Sequence, residues 1–171
     1  MKNQPKFKNI EFKTFPILMI ILYVPFHLSE EAFFNFPMWM FEHYNLPKPL
    51  SYEHWLINNS FFFVTLFTGL IFFLRNNSKY LHFGFAILIW GLMNSFEHMI
   101  FTILDLKFAP GFFTSLLFLT IFFIGFYKLK SEKLLSKKLF LKSFSISILY
   151  WIIPFTFIIS LGKTLIKIFP Y

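Results

Sequence analysis

The chain has 171 residues, of which 57% are hydrophobic and only 14% are charged. Soluble domains carry about 25% charged residues, so this composition excludes an ordinary water-soluble fold. The absence of cysteine excludes disulfides, thiolate nucleophiles and cysteine-based metal sites. The formal net charge of +8 fits a cytoplasmic membrane surface, and we expect no nucleic-acid partner because no basic segment carries groups that stack on bases or read a groove.

Five apolar stretches of the sequence are long enough to cross a bilayer as helices. They cover roughly residues 15–34, 55–74, 81–104, 111–127 and 139–168. Helices are required because an open sheet edge is not tolerated in lipid. The first stretch follows a basic tail, as a signal peptide would, but no small-residue cleavage site follows it. The sequence therefore predicts an all-α, polytopic transmembrane helical bundle of about five spans.

The distribution of basic residues predicts the orientation of these spans. With the N-terminus inside, twelve of the sixteen Lys and Arg residues fall on inner segments. The prediction is an N-in, C-out protein with a basic cytoplasmic tail (1–14), a four-span core (15–127), and a basic inner loop with a fifth span (128–171). We expect this integral membrane protein in a bacterial cytoplasmic membrane.

Two spans carry polar triplets with the same spacing. Ionisable side chains inside a bilayer cost several kcal/mol each and need a physical reason. The first span contains His27, Glu30 and Glu31 in the run HLSEE, at the i, i+3, i+4 spacing that shares one helical face. The third span repeats this spacing in the run NSFEH, with the residues Asn94, Glu97 and His98.

The depth of these residues along their helices brings them to one level of the membrane. At 1.5 Å per residue, Glu30 lies ~22 Å from the inner end of its span, and the third-span triplet lies ~21 to ~27 Å from the inner end of its own. His54 and Asn58 stand near the outer end of the antiparallel second span, and Thr114 stands near the start of the fourth. The sequence therefore predicts one polar site in the outer third of the membrane.

Imidazoles and carboxylates together form a ligand set suited to zinc or non-haem iron. The predicted metal ligands are His27, Glu30, His54, Glu97 and His98. Glu30, Glu31 and Asn94 are predicted to be catalytic, with a carboxylate as general base and an amide holding a substrate carbonyl. The residues predicted to orient a ligand or contact the substrate are Asn58, Trp39 and Thr114.

The segment 33–50 between the first two spans is aromatic and rich in proline. We predict a short amphipathic helix in the outer interface. A second interpretation, compatible with the first, is a lid over the polar site that guides a lipid-like substrate. Glu42 and His43 of this segment are predicted to be solvated. Pro25 is predicted to kink the first span, and the lysine-rich residues 128–142 are predicted to form a solvated or headgroup-facing loop.

These motifs resemble those of the HXXEE-domain family of small multi-span membrane proteins. The resemblance extends over roughly residues 15–120 and is carried by His27, Glu30, Glu31, Phe36, Pro37, Trp39, Asn94, His98, Pro110 and Gly111. It implies enzymatic activity by the polar residues of the set, and a structural turn at the Pro-Gly pair. The family's tyrosine before that pair is replaced by Phe108, so its phenol is absent here.

Metal-dependent hydrolysis of a lipid or another amphiphile is the function that these patterns favour, because apolar substrates reach an outer-leaflet site by lateral diffusion. The expected partners are membrane lipid and an amphiphilic small molecule. Two alternatives are an ion- or proton-coupled transporter or channel, and a non-catalytic scaffold whose polar residues stabilise packing. A transporter needs a path to both sides, whereas the inner halves of these spans are almost purely apolar.

Overall fold

A computed structural model describes residues 11–43 and 51–168, with side chains described as far as residue 156. Those residues form helices and no β-strand. The helices are α1 (Thr14–Phe33), α2 (Phe36–His43), α3 (Tyr52–Arg75), α4 (Leu81–Asp105), α5 (Phe112–Ser131) and α6 (Lys137–Ile168). The predicted tail and outer loop therefore lie partly outside the described residues, at 1–10 and 44–50.

Every helix except α2 is long and apolar enough to cross a membrane, which gives five candidate spans. Large apolar side chains stay exposed at mid-span positions, including Val64 at 59%, Phe123 at 57% and Ile152 at 51%. Such surfaces need lipid around them. The predicted all-α bundle of five spans is confirmed, and the chain is a multi-pass helical membrane protein. Its N-in, C-out orientation stays a prediction.

Helix α4 is the centre of the bundle. Every residue from Gly84 to Gly91 is buried, as expected for a helix that is apolar all round. The helix packs against α1, α3, α5 and α6. The polar residues Asn94 and His98, which follow this apolar stretch on α4, are therefore enclosed by neighbouring helices and are also buried.

Helix α1 contains a π-helical turn, Leu22–His27, with Pro25 inside it. The predicted effect of this proline on the first span therefore takes the form of a widened turn. A π turn closes i to i+5 hydrogen bonds, so residues four apart stay close to one face. Tyr23, His27 and Glu31 follow this spacing, and all three are buried.

The prediction of a loop over residues 128–142 was wrong for most of the segment. Helix α5 continues to Ser131 and α6 already begins at Lys137. Lys128 pairs with Glu132 across 2.9 Å. Lysine side chains can extend from the end of a span towards the interface, so a cluster of them does not end a helix.

A short helix between the first two spans is confirmed as α2. Its position in the outer interface stays a prediction. Glu42 is exposed, as predicted, but the prediction for His43 was wrong. The His43 Nε2 atom lies 2.5 Å from Asp105 Oδ2, and its Nδ1 atom lies 2.8 Å from the Trp39 carbonyl oxygen. The contact with Asp105 fastens α2 to the end of α4, a long-range pairing that local sequence does not reveal.

Candidate metal centre

Two imidazoles and one carboxylate meet inside the bundle. One ligand atom from each of His27, Glu31 and His98 lies within 4.8 Å of the other two. Glu31 Oε1 is 3.4 Å from His27 Nε2 and 3.7 Å from His98 Nε2. Ligands held about 2.1 Å from one tetrahedral zinc ion would lie about 3.4 Å apart, so the spacing fits a single ion. The three residues are 1%, 4% and 2% exposed, in chain order.

A hydrogen-bonded threonine orients the imidazole of His27. His27 Nδ1 lies 2.7 Å from Thr114 Oγ1, and that hydroxyl donates to the Gly111 carbonyl oxygen across 3.2 Å. In the tautomer whose Nδ1 donates to this hydroxyl, Nε2 keeps its lone pair. Nε2 has no hydrogen-bond partner among the described residues, and it faces Glu31. Metal-binding histidines usually make a hydrogen bond through the ring nitrogen that does not bind the metal, as Nδ1 of His27 does with Thr114.

The Pro110–Gly111 turn brings α5 against both imidazoles. Gly111 has φ +85°, a left-handed conformation that favours glycine. A Cβ atom at this position would lie 2.6 Å from His27 Cε1 and 2.8 Å from His98 Cε1. The structural turn implied by the family resemblance is present, and glycine is required there both by the backbone and by the space.

Glu30 and Glu31 are adjacent in sequence but have different surroundings. Glu30 Oε1 accepts a hydrogen bond from the Phe113 amide at 2.8 Å, and Oε2 accepts one from the Thr114 amide at 2.7 Å. This carboxylate therefore caps the N-terminus of α5, where negative charge is stabilising. The structure places it at this cap and does not include it in the three-residue ligand group.

A cavity of about 70 Å³ adjoins the ligand group. Its polar lining includes three residues predicted from the sequence, Asn58, Asn94 and Glu97. Phe36 and Met40 of α2 also line it, as expected for a helix that covers the site. The space holds a few water molecules, or a small polar group of that size.

Four predicted site residues do not line this cavity: Glu30 and Thr114, whose contacts at the start of α5 are given above, and His54 and Trp39. His54 is near the N-terminus of α3, where its Nδ1 atom lies 2.9 Å from Ser51 Oγ. Trp39 stacks on His43 with ring centroids 4.2 Å apart. Neither belongs to the ligand group or the cavity lining.

Several residues around the cluster were not predicted. Trp55 Nε1 donates to Glu31 Oε2 at 3.3 Å, Asn59 Nδ2 donates to the Trp55 carbonyl oxygen at 3.0 Å, and the Tyr23 hydroxyl donates to Asn59 Oδ1 at 2.6 Å. Tyr23 stands four residues before His27 on α1, and Trp55 stands four residues before Asn59 on α3. This helical spacing is the sequence signal by which these residues could have been predicted. Trp151 of α6 also lines the cavity, but no local pattern indicates that α6 reaches the site.

The fold and the site together define a multi-pass helical membrane protein with a buried His-Glu-His cluster beside a short helix, α2, that lines the adjoining cavity. A family model described as "Protein of unknown function with HXXEE motif" matches residues 18–127. The chain belongs to this HXXEE family, as the resemblance predicted. The matched range includes all of the ligand group and the glycine turn against it. No curated protein and no solved structure matches the chain.

Proposed function

We propose that this protein is a membrane-embedded, metal-dependent hydrolase of a lipid or another amphiphile, with zinc or iron held by His27, Glu31 and His98. The observation that carries the proposal is the approach of their ligand atoms to within 4.8 Å of one another. Two histidines and one glutamate form a known ligand set of catalytic zinc, which keeps a further coordination position for water or substrate.

Glu97 supplies a second carboxylate beside this ligand group, since it lines the same cavity. The ion would act as a Lewis acid that makes a water molecule a stronger nucleophile near neutral pH. The water oxygen adds to the acyl carbon, and Glu97 accepts the water proton as general base. The proton then passes to the leaving oxygen or nitrogen as its bond to the acyl carbon breaks. The products are a carboxylic acid and an alcohol or amine.

The position of the cavity supports an amphiphilic substrate. It lies between membrane-spanning helices and is partly lined by the apolar side chains Phe36 and Met40 of the interfacial helix. A molecule dissolved in the outer leaflet would arrive with its polar head already near this depth. Membrane lipid is therefore both the surroundings of the protein and the expected source of its substrate.

The packing beyond the cavity favours a one-sided site over a transport path. Met19, Leu66 and Leu88 lie one or more helical turns further along their helices towards the opposite side, and each is 0% exposed. An ion pathway through this layer would have to displace close-packed apolar side chains, which is costly.

The metal site is tested by elemental analysis of detergent-purified protein after incubation with zinc or iron. We expect about one ion per chain, because three converging ligands suffice for a catalytic zinc site. The ion should be lost in a His27→Ala, His98→Ala variant and kept in a matched His82→Ala control, since His82 lies outside the ligand group. An equal metal content in the wild-type protein and the double variant would contradict the proposal.

Hydrolysis is tested with long-chain esters and amides in mixed micelles, by following release of the fatty acid. We expect turnover by the metal-loaded protein and its loss in Glu97→Gln, with the metal content unchanged. A metal-loaded protein that releases no acid from either substrate class would contradict hydrolase activity.

A further inference from the structure

Four side chains that line the cavity carry buried polar atoms with no hydrogen-bond partner among the described residues. They are the amide oxygens of Asn58 and Asn94 and the indole N–H groups of Trp90 and Trp151. Leaving such a group unpaired costs about 1–3 kcal/mol, so native structures pair these groups with water or ligand. The set offers two acceptors and two donors, which match a ligand that both accepts and donates hydrogen bonds.

The charges around the cavity disfavour an anionic head group. Glu31 and Glu97 line it, and none of its lining residues within the described part of the chain is Lys or Arg. The two carboxylates would balance a divalent ion held by the cluster. A phosphate or sulfate head would then bring uncompensated negative charge into a buried site, which is costly. An uncharged head avoids this cost.

An aromatic wall leads from the cavity to the outer surface of the bundle. Trp90 is 1% exposed, and its ring centroid lies 6.0 Å from that of Trp151. The Phe62 ring contacts Trp151 at 5.2 Å and Phe155 at 5.6 Å, and Phe155 is 45% exposed. Such a wall lets an acyl chain extend from the polar cavity into the surrounding lipid.

We infer that this cavity binds the uncharged amide head of a long-chain amphiphile. The carbonyl oxygen accepts hydrogen bonds from the indole groups of Trp90 and Trp151, and the amide N–H donates to Asn58 or Asn94. The acyl chain lies along the wall towards Phe155. One consequence of this inference rests on the proposed function: the bond that the hydrolase cleaves is an amide bond.

Calorimetric titration of the purified protein with dodecanamide in mixed micelles tests this assignment. Trp151→Phe keeps an aromatic ring but removes the N–H, and Asn94→Leu removes the amide at similar size. We expect each variant to bind about fivefold more weakly, the effect of one hydrogen bond. Tyr150→Phe is the matched control, because it removes an unpaired buried hydroxyl from the same helix outside the cavity lining.

Two results would overturn the inference: dodecyl phosphate binding as tightly as dodecanamide, or Trp151→Phe binding dodecanamide as tightly as the wild type. Helical circular dichroism checks the folding of each variant, and Asn58→Leu replaces Asn94→Leu if the latter unfolds. Repeating the titration with His27→Ala, His98→Ala shows whether amide binding needs the metal ligands. Amide binding by a wild-type protein that takes up no metal contradicts the hydrolase alone, whereas metal uptake by the wild type without amide binding contradicts this inference alone.

Discussion

Gly111 controls how closely the turn before α5 approaches the imidazoles of His27 and His98. It combines a positive φ of 85° with contact against both rings. The Pro-Gly pair therefore belongs to the construction of the cluster, although it contributes no ligand atom. Thr114, one turn further along α5, orients His27 through Nδ1.

A Gly111→Ala substitution is expected to lower both stability and metal binding. The left-handed backbone costs a non-glycine residue about 1–3 kcal/mol, and the new methyl group would push the imidazoles away from Glu31. Thermal unfolding in detergent and elemental analysis measure the two effects. Gly91→Ala is the control, because Gly91 lacks the left-handed backbone and its new Cβ meets Met19 instead of an imidazole of the cluster. Full metal occupancy in Gly111→Ala would show that the turn does not position the ligands.

Helix α1 separates the functions of the adjacent carboxylates in HLSEE. His27 and Glu31 are one helical turn apart and both enter the ligand group, whereas Glu30 is rotated by about 100° from Glu31 and reaches the N-terminus of α5. The motif thus links two helices and supplies two ligands. The three polar residues of the motif therefore serve two neighbouring places, the ligand group and the N-terminus of α5, and do not all point at one site.

Replacing Glu30 by Ala is expected to destabilise the bundle by about 1–2 kcal/mol, because α5 loses a charged N-terminal cap. The metal content should stay unchanged, since the ligand group does not include this carboxylate. Unfolding in detergent gives the stability, with Glu42→Ala on exposed α2 as the control. Loss of the metal without loss of stability would instead make Glu30 a ligand.

The whole molecule encloses its polar residues between a packed layer and a covering helix. Central α4 delivers Asn94 and His98, while α2 is held over the cavity through the contact of His43 with Asp105. Phe36 extends from α2 to line the cavity. The layer of Met19, Leu66 and Leu88 closes the cavity towards the opposite end of the bundle.

The absence of cysteine makes the predicted orientation directly measurable, because any single cysteine introduced becomes the only reactive thiol. In intact cells or right-side-out vesicles, an impermeant maleimide should label Lys107→Cys, which is predicted to be outside. Asn77→Cys should react only after permeabilisation. Both positions are exposed between helices. The reverse labelling pattern would contradict the N-in orientation.

The five spans, the polar depth level and the HXXEE family membership followed from the sequence alone. Spans of about 20 apolar residues are set by bilayer thickness, and helical periodicity fixes which residues share a face. Those local rules placed His27, Glu31 and His98 at one polar level, with Glu31 as a catalytic base, and the structure brings ligand atoms of all three within 4.8 Å of one another.

Only the tertiary structure decided which members of that polar level meet. It assigned Glu30 to the α5 cap, kept His54 at the α3 N-terminus and brought Trp151 to the cavity. The rotation of each helix about its axis, and which helices it packs against, depend on packing across the whole bundle. Residue spacing within one helix does not encode either property. The sequence therefore determined which residues share a level along the spans, and the packing of α4 with its neighbours determined which of them form the site.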